Sequence, residues 1–220
     1  KNLSGSGAGQ LVATLRKIKV TAKEKLKLPV QSLIINKSSV DGSGTGDGTL
    51  NDGLTYGNYA FGTRVQDRII CLNRPDVIKV HAIYEANGTD DPEAPVVVLG
   101  GIDGESGTTN DLIIGETFIG EESGAVCTLL VNKDDIRSNF CYLNTSTLVE
   151  GETVKFQSSN VTATVGSTTE TDRRISGDFK LDQGQRATFY DYARLIRKPD
   201  VDAPSMGRKS LLIEDSDSRT

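Results

Sequence analysis

The stretch that decides the fold is GETFIGEESGAVCTLLV, residues 115–131, because it returns in altered form as GETVKFQSSNVTATV, residues 151–165. Each copy has two β-rich segments on either side of a serine-bearing turn, which predicts strand, turn, strand. Two such hairpins can close into a small sandwich or barrel. The side chains expected in its interior are Phe118, Ile119, Val126, Leu129, Val131, Val154 and Phe156.

The segments around this duplication also have the composition of short strands. Residues 64–72 and 77–86 flank the turn sequence NRPD, and we expect them to form a β-hairpin. Further strands are expected at 96–99 and 140–143. The sequence therefore predicts a mainly β fold, with short antiparallel strands in small sandwich or barrel modules, long loops and one short helix near 185–191.

The predicted organisation has four parts. They are an extended N-terminal arm with a basic strand and a glycine-rich loop (1–48), a β-hairpin module (49–110), the duplicated β-hairpin module (111–175), and an aromatic plug with an extended C-terminal arm (176–220). In the first part, Pro29 is expected to break the chain before a strand at 31–36. In the last part, residues 211–213 are expected to add a short strand to a neighbour's sheet edge, followed by an acidic, disordered end at 214–220.

Composition narrows the classes of function. The 220 residues carry a net charge of −5, and 36% of them are hydrophobic, so there is little apolar material for a single compact core. This charge argues against general nucleic-acid binding, so no nucleic-acid partner is expected. Its basic run at 16–27 is expected to be a solvated strand face or a subunit contact. No apolar run reaches membrane-spanning length, so no membrane partner is expected.

The sequence contains few residues in patterns typical of a catalytic site or a metal site. Its cysteines are far apart and form no CxxC pair, so buried free thiols are expected, with a disulfide between the last two as the alternative: they are Cys71, Cys127 and Cys141. The only histidine, His81, has no nucleophile or acid motif beside it and is expected to be a strand residue. Acid pairs at 121–122 and 134–135 fall at predicted turns. We therefore expect no enzyme activity and no cofactor.

The densest aromatic segment is DFKLDQGQRATFYDYARLIRK, residues 178–198. Alternation at Phe179 and Leu181 predicts a strand, and Gly184 is expected to take positive φ in the turn that follows. Residues 193–198 are expected to be extended. We interpret the segment as an aromatic plug at a protein–protein interface, formed by Phe179, Arg186, Phe189, Tyr190, Tyr192, Arg194 and Arg197.

This segment resembles the C-terminal signature of large virion structural proteins of contractile-tailed bacteriophages, notably those of marine cyanobacteria, in the tail, baseplate and fibre region. Residues 49–80, with TLNDGLTYG, FGTRVQD and PDVIKV, are similar to an earlier part of that family, and the order is the same. The resemblance implies an architectural role in the virion after assembly in the host cytoplasm. It implies contacts with other tail proteins and with further copies of this chain, and it brings no catalytic residues.

Two other binding sites are alternatives at this stage. A carbohydrate-binding receptor module of a tail fibre would use an aromatic platform that stacks on host glycan, formed by Tyr56, Tyr59 and Phe61. A polysaccharide-degrading fibre domain is a weaker alternative. A calcium loop would use oxygen ligands at every second position, namely Asp41, Ser43, Thr45 and Asp47. Because the bidentate glutamate of such loops is missing, we expect a surface loop without metal.

Overall fold

The computed structural model describes residues 26–35, 65, 67–88, 90–185, 191–202 and 210–219. Within these ranges the strands are β1 (Leu26–Ile35), β2 (Ile69–Cys71), β3 (Val77–Glu85), β4 (Val96–Gly100), β5 (Thr117–Gly120), β6 (Val126–Asn132), β7 (Arg137–Tyr142), β8 (Thr153–Phe156), β9 (Thr162–Thr169), β10 (Arg173–Arg174), β11 (Phe179–Asp182), β12 (Arg194–Arg197) and β13 (Leu211–Arg219).

Helical structure in the described ranges is limited to two single 3-10 turns, Thr109–Asp111 and Ser176–Asp178. The prediction of a mainly β fold is therefore confirmed. Most of the helix predicted near 185–191 falls on residues 186–190, which lie outside the described ranges. Its two end residues, Gln185 and Asp191, are not helical.

Six consecutive strands close into a barrel in the order β4-β7-β6-β5-β8-β9. Neighbouring strands are antiparallel throughout. Three aromatic rings meet in the interior, where the centroid of Phe118 lies 4.8 Å from that of Phe156 and 6.0 Å from that of Phe140. The core around them contains Val97, Leu99, Ile102, Leu112, Ala125, Cys127, Leu129, Leu148, Val154, Val161, Ala163 and Val165.

The two copies of the duplicated segment have matching backbone contacts in the barrel. The amide of Gly115 donates to the carbonyl of Leu129 at 2.8 Å, and the amide of Gly151 donates to that of Val165 at 2.7 Å. Both glycines have positive φ, 84° and 90°. Equivalent positions of the two repeats therefore make equivalent backbone hydrogen bonds.

The two repeats are interleaved rather than placed side by side. Each duplicated hairpin is preceded by one more strand of the barrel, so that β4–β6 form the first repeat and β7–β9 the second. Strand β4 lies between β7 and β9 of the second repeat, and β7 lies between β4 and β6 of the first. Between the repeats, Ile119 pairs with Lys155 and Val97 pairs with Ser138. Four of the six seams of the barrel join strands from different repeats, so neither repeat can close a sheet alone.

Four of the seven side chains predicted for the interior are buried there: Phe118, Leu129, Val154 and Phe156. The prediction is wrong for Ile119 and Val126, which are only partly buried, and for Val131, which is 45% exposed. Adjacent residues of a strand face opposite sides, so Ile119 turns outward next to Phe118. A register shift between Leu129 and Val131 alters the alternation in β6.

The remaining strands form two stacked sheets from distant parts of the chain. The order is β1-β13-β3-β10 in the four-stranded sheet and β11-β12-β2 in the three-stranded sheet. One face of the larger sheet, with Ile83, Leu211 and Ile213, packs against Ile70 and Leu195 of the smaller one. This contact is a second core, separate from the interior of the barrel.

The β-hairpin predicted at 64–86 does not form. Strand β2 pairs with β12, whereas β3 pairs with β13 and β10. The connection between β2 and β3 contains Asn73 and Asp76, both at positive φ (57° and 56°), and leads the chain from one sheet into the other. The turn is where the sequence predicts it, but a turn does not decide whether its flanking strands pair.

The C-terminal end differs most from expectation. Strand β13 runs from Leu211 to Arg219 and lies between β1 and β3 of the same chain. The predictions of a neighbour's sheet edge and of disorder at 214–219 are therefore wrong.

The predicted break at Pro29 is also wrong, because β1 continues through it with a register shift between Leu28 and Gln31. Proline is tolerated at such irregular points of a strand at a sheet edge.

The barrel packs on the other face of the four-stranded sheet. Leu130, the extra residue of a bulge in β6, is 1% exposed and packs in one cluster with Ala82, Tyr84 and Leu212 of the sheet. The equivalent bulge residue in β9 is Gly166. Because glycine has no side chain to insert, the two repeats differ at the position that fixes the barrel to the sheet.

Two of the predicted boundaries between parts of the chain differ from those in the structure. The barrel begins at β4, within the part predicted as 49–110, because β4 completes its wall. Strand β10, within the part predicted as 111–175, joins the four-stranded sheet instead. Most of the predicted N-terminal arm, except residues 26–35, lies outside the described ranges.

Candidate assembly interface

Two of the predicted interface residues face each other inside the second core. Phe179 pairs with Arg197 across β11 and β12, and the guanidinium carbon lies 4.6 Å from the ring centroid. Nη2 of Arg197 donates to the carbonyl of Val65 at 2.7 Å. Burial lowers the pKa of Arg197, opposed by the nearby Glu85 and Asp178 carboxylates. With 7% and 4% exposure, Phe179 and Arg197 hold the core together and offer a partner little surface.

The turn after Phe179 has the predicted conformation. Gly184 has φ 73°, and a Cβ at this position would collide with the carbonyl oxygen of Asp191. The amide of Asp191 donates to the carbonyl of Gly184 at 2.9 Å. The backbones of Gly184 and Asp191 are thus held in contact, and only glycine at position 184 allows this close approach.

The exposed part of the predicted interface lies at the start of β12. Tyr192 is 46% exposed, and Arg194 forms an ion pair with the adjacent Asp191. Three further predicted interface residues, Arg186, Phe189 and Tyr190, lie outside the described ranges. The interface therefore stays a prediction, and Tyr192 is its accessible aromatic side chain in the part of the chain that the structure describes.

The aromatic platform of Tyr56, Tyr59 and Phe61 lies outside the described ranges, as does the loop with Asp41, Ser43, Thr45 and Asp47.

Both acid pairs at the predicted turns are in turns or bends. Asp134 accepts hydrogen bonds from the amides of Ile136 and Arg137 at 3.1 and 2.8 Å. A side-chain hydrogen bond from Arg137, together with these amides, lowers the pKa of Asp134. This carboxylate is thus engaged in closing the turn between β6 and β7.

Two buried glutamates, which sequence reasoning did not single out, brace the loops of the barrel. Glu152 lies at the start of β8 and is 1% exposed. Its carboxylate accepts the amides of Val149, Ser123 and Glu122 at 2.6, 3.0 and 3.2 Å, and the hydroxyl of Ser123 at 2.9 Å. Burial raises the pKa of Glu152, but these hydrogen bonds outweigh it, so the pKa is below its usual value.

Glu116 makes the equivalent brace in the other repeat. Its carboxylate accepts the amides of Ile113 at 2.7 Å and of Ser158 and Ser159 at 2.9 Å. The Ser159 hydroxyl adds a bond at 3.0 Å. Each carboxylate thus ties the turn before its own strand to the hairpin loop of the other repeat. The signal available in the sequence was the repeated GET with a serine in each following turn.

A run of three buried polar residues occupies the middle of β13. Glu214 accepts the hydroxyl of Ser32 at 2.8 and 3.0 Å. Asp215, whose side chain is fully buried, pairs with Arg74 at 3.1 Å. Ser216 is 5% exposed. These residues bind β13 to β1 and to the turn before β3. Because they are polar, the sequence did not predict that this segment is a central strand of a sheet.

His81 lies in β3 as predicted, at the register shift between β3 and β13. Its Nε2 lies 2.6 Å from the hydroxyl of Ser216 and 3.1 Å from the carbonyl of Pro29. The serine–histidine pair is buried between strands, at 5% and 9% exposure. It therefore links strands β1, β3 and β13.

All three cysteines are buried free thiols, as expected. Burial raises the pKa of Cys71, Cys127 and Cys141, in the last case to about 11. Among the described residues, no group of three or more His, Cys, Asp or Glu side chains could hold a metal ion. None of the helices in the described ranges has the length and apolar character of a membrane span.

Comparison of the chain with protein-family models, with curated proteins and with solved structures finds no match.

Proposed function

We propose that this chain is a structural protein of a bacteriophage virion, in the tail, baseplate or fibre assembly, and that it acts by protein–protein contacts. The observation that carries the proposal is the use of the buried carboxylates of the barrel. Glu116 and Glu152 both accept several backbone amides that hold loops in place. Carboxylates used in this way stabilise a rigid module, which suits a structural component of an assembly.

The resemblance of residues 49–80 and 178–198 to virion structural proteins supports the phage assignment. The exposed Tyr192 supports the aromatic segment as a contact site, because exposed aromatic residues are enriched in protein interfaces. The partners of this proposal are other tail proteins and further copies of the chain.

The test measures the mass of the purified chain by light scattering at several protein and salt concentrations. We expect a defined oligomer that resists salt, because contacts made by an aromatic surface are less screened than exposed ion pairs. Tyr192→Ala should weaken the oligomer, whereas Val149→Ala, at a residue of similar exposure (48%) on the barrel, should leave it intact.

A monomer at every concentration would contradict self-assembly through this segment. Release of reducing ends from a host polysaccharide by the purified chain would contradict a purely structural role. A glycan screen that identified a ligand would instead favour the receptor-module alternative, to be checked at Tyr56 and Tyr59.

A further inference from the structure

The sequence contains a single Asn-Gly pair, Asn87–Gly88, which lies just after the end of β3. Both residues are exposed to solvent. An asparagine can lose its side-chain amide when the backbone nitrogen of the next residue attacks its side-chain carbon, and it is therefore a thermolabile residue. Glycine permits this attack best, because it has no side chain to hinder the approach. The pair thus has the composition of a site of spontaneous modification.

The backbone at Gly88 leaves the attacking nitrogen accessible. Among the described residues, the amide of Gly88 donates no hydrogen bond. A Cβ at this position would meet no atom within 4 Å, so this side of the peptide bond is open to water. The φ of Gly88 also lies outside the left-handed region, so an alanine can replace it without strain.

Two hydrogen bonds hold Asn87 to the connection between β9 and β10. Its backbone amide donates to Oδ1 of Asp172 at 3.0 Å, and its Nδ2 donates to the carbonyl of Thr171. Both bonds are exposed, and such bonds add little net stability because water offers equivalent partners. The side chain of Asn87 can therefore leave the carbonyl of Thr171 at low cost, and its carbon is then free to meet the amide of Gly88.

We propose that Asn87 is a site of spontaneous deamidation and that the product loosens the contact of β10 with β3. The proposal rests on the geometry of Asn87, Gly88 and the connection before β10, and it does not depend on the virion assignment.

The reaction needs water as its only co-reactant. The nitrogen of Gly88 forms a bond to the side-chain carbon of Asn87 and gives up its proton to the solvent. The side-chain nitrogen of Asn87 takes up a proton and leaves as ammonia, which closes a succinimide ring. Water then adds to one of the two ring carbonyl groups and breaks the bond of that group to nitrogen. Opening at the side-chain carbonyl gives aspartate, and opening at the main-chain carbonyl gives isoaspartate.

The product changes the corner where β10 meets β3. Strand β10 has only two residues and pairs with the end of β3. Asp172, directly before β10, accepts the amides of both Asn87 and Glu93. A carboxylate at position 87 has no N–H to donate to the carbonyl of Thr171, and it places a second negative charge near Asp172. Because like charges repel, the connection before β10 should separate from the end of β3.

Incubation of the purified chain in mildly alkaline buffer, followed by peptide mapping with mass spectrometry, measures the reaction. Asn144 is the internal control, because it is also exposed and its Nδ2 also donates to a carbonyl, that of Gly124 at 2.9 Å, but Thr145 follows it. We expect both aspartate and isoaspartate at Asn87. Conversion there should be at least about tenfold faster than at Asn144, a difference of about 1.4 kcal/mol in the barrier.

Two variants separate the chemistry from its structural consequence. Gly88→Ala, which meets open space, should slow the conversion of Asn87 roughly tenfold. Asn87→Asp places one of the products in the chain from the start. In this variant, hydrogen–deuterium exchange of the Ile175 amide, which donates to the carbonyl of Ile83 at 2.8 Å, should rise roughly five- to tenfold, the equivalent of one lost hydrogen bond. Amides of β5 and β8 in the barrel provide the internal reference for intact folding.

Conversion at Asn87 that is no faster than at Asn144, or that is unchanged in Gly88→Ala, would overturn the assignment of the site. Equal exchange of the Ile175 amide in Asn87→Asp and in the wild type would overturn the proposed loosening of β10.

Discussion

At the scale of single residues, the barrel shows how a buried carboxylate becomes stabilising. Burial of an unpaired charge is costly, but several amide donors can make the ionised form the favoured one. Glu116 and Glu152 both accept amides from a turn and a loop, and for Glu152 these donors lower the pKa of the carboxyl group. A short serine-bearing turn in each repeat supplies backbone amides and a serine hydroxyl as donors. The glutamate is therefore stabilising only because the turn has both this backbone conformation and a serine at this position.

We predict that Glu152→Gln lowers the free energy of unfolding at pH 7 by about 2 kcal/mol, because hydrogen bonds to a charged group are lost. The pKa of Glu152 is lowered in the folded state, so its contribution is present above pH 4.5 and is lost as the pH falls through the folded pKa. The difference between variant and wild type should therefore shrink in acid. Urea unfolding at several pH values measures it.

Glu121→Gln is the matched control, since Glu121 is an exposed acid of the adjacent turn and surface substitutions change stability by about 0.5 kcal/mol or less. Equal losses in the two variants would show that the brace contributes nothing beyond the local charge.

The buried ion pair of Arg74 and Asp215 permits a second test. Arg74→Met should cost about 3–5 kcal/mol, because it leaves the buried carboxylate without its arginine. Combining it with Asp215→Asn removes that charge and should recover much of the loss. A double-mutant cycle from urea unfolding provides the coupling energy. If the effects of the two substitutions on the free energy of unfolding were additive, the coupling energy would be zero and the ion pair would not contribute to stability.

At the scale of elements, one bulge decides which side of the barrel meets the sheet. The repeats have equivalent bulges, but the first contains Leu130 and the second contains Gly166. A bulge redirects a side chain that would otherwise follow the alternation of the strand. Leu130 is thereby directed onto Tyr84 and Leu212 of the sheet, and no equivalent side chain exists in the other repeat.

Leu130→Ala should therefore lower the free energy of unfolding by about 2–5 kcal/mol, as for other large-to-small substitutions of a buried leucine. The adjacent Val131, at 45% exposure, is the control, and Val131→Ala should change stability by about 0.5 kcal/mol or less. Chemical denaturation of both variants makes the comparison. Similar small losses would mean that Leu130 does not anchor the barrel.

At the scale of the whole molecule, the two cores are built in different ways. The barrel comes from one continuous stretch, β4 to β9, although its repeats are interleaved. The stacked sheets depend on strands from both ends of the described chain, since residues 26–35 pair with 211–219. Closing such a long loop costs more conformational entropy than joining neighbouring strands.

We predict that the sheets open at lower denaturant concentration than the barrel, and the cysteines can report this. Cys127 lies inside the barrel, and Cys71 lies in β2 of the smaller sheet. Both are buried, with pKa values raised by burial, so neither should react with a thiol reagent in the native state. Mass spectrometry after brief labelling in rising urea should find Cys71 modified first. Simultaneous labelling would indicate one cooperative unit.

Local pattern was enough to predict much of the barrel. The duplicated segments, their turns and the interior positions of Phe118, Leu129, Val154 and Phe156 follow from alternation and turn residues. The same reasoning predicted the turn at Gly184. Each of these features depends on residues a few positions apart, where strand geometry and backbone sterics act directly. The burial of the three thiols was expected on other grounds, from their wide spacing and the absence of a CxxC pair.

Only the tertiary structure decided which strands pair and which polar residues are buried. The turn after β2 is evident in the sequence, yet β2 and β3 separate into different sheets. The acidic segment beginning at Glu214 has the composition of a disordered end, yet it is a central strand because Ser32 and Arg74 satisfy its carboxylates. A buried acid is stabilised by donors that approach it in space, and a linear sequence does not show which residues those will be.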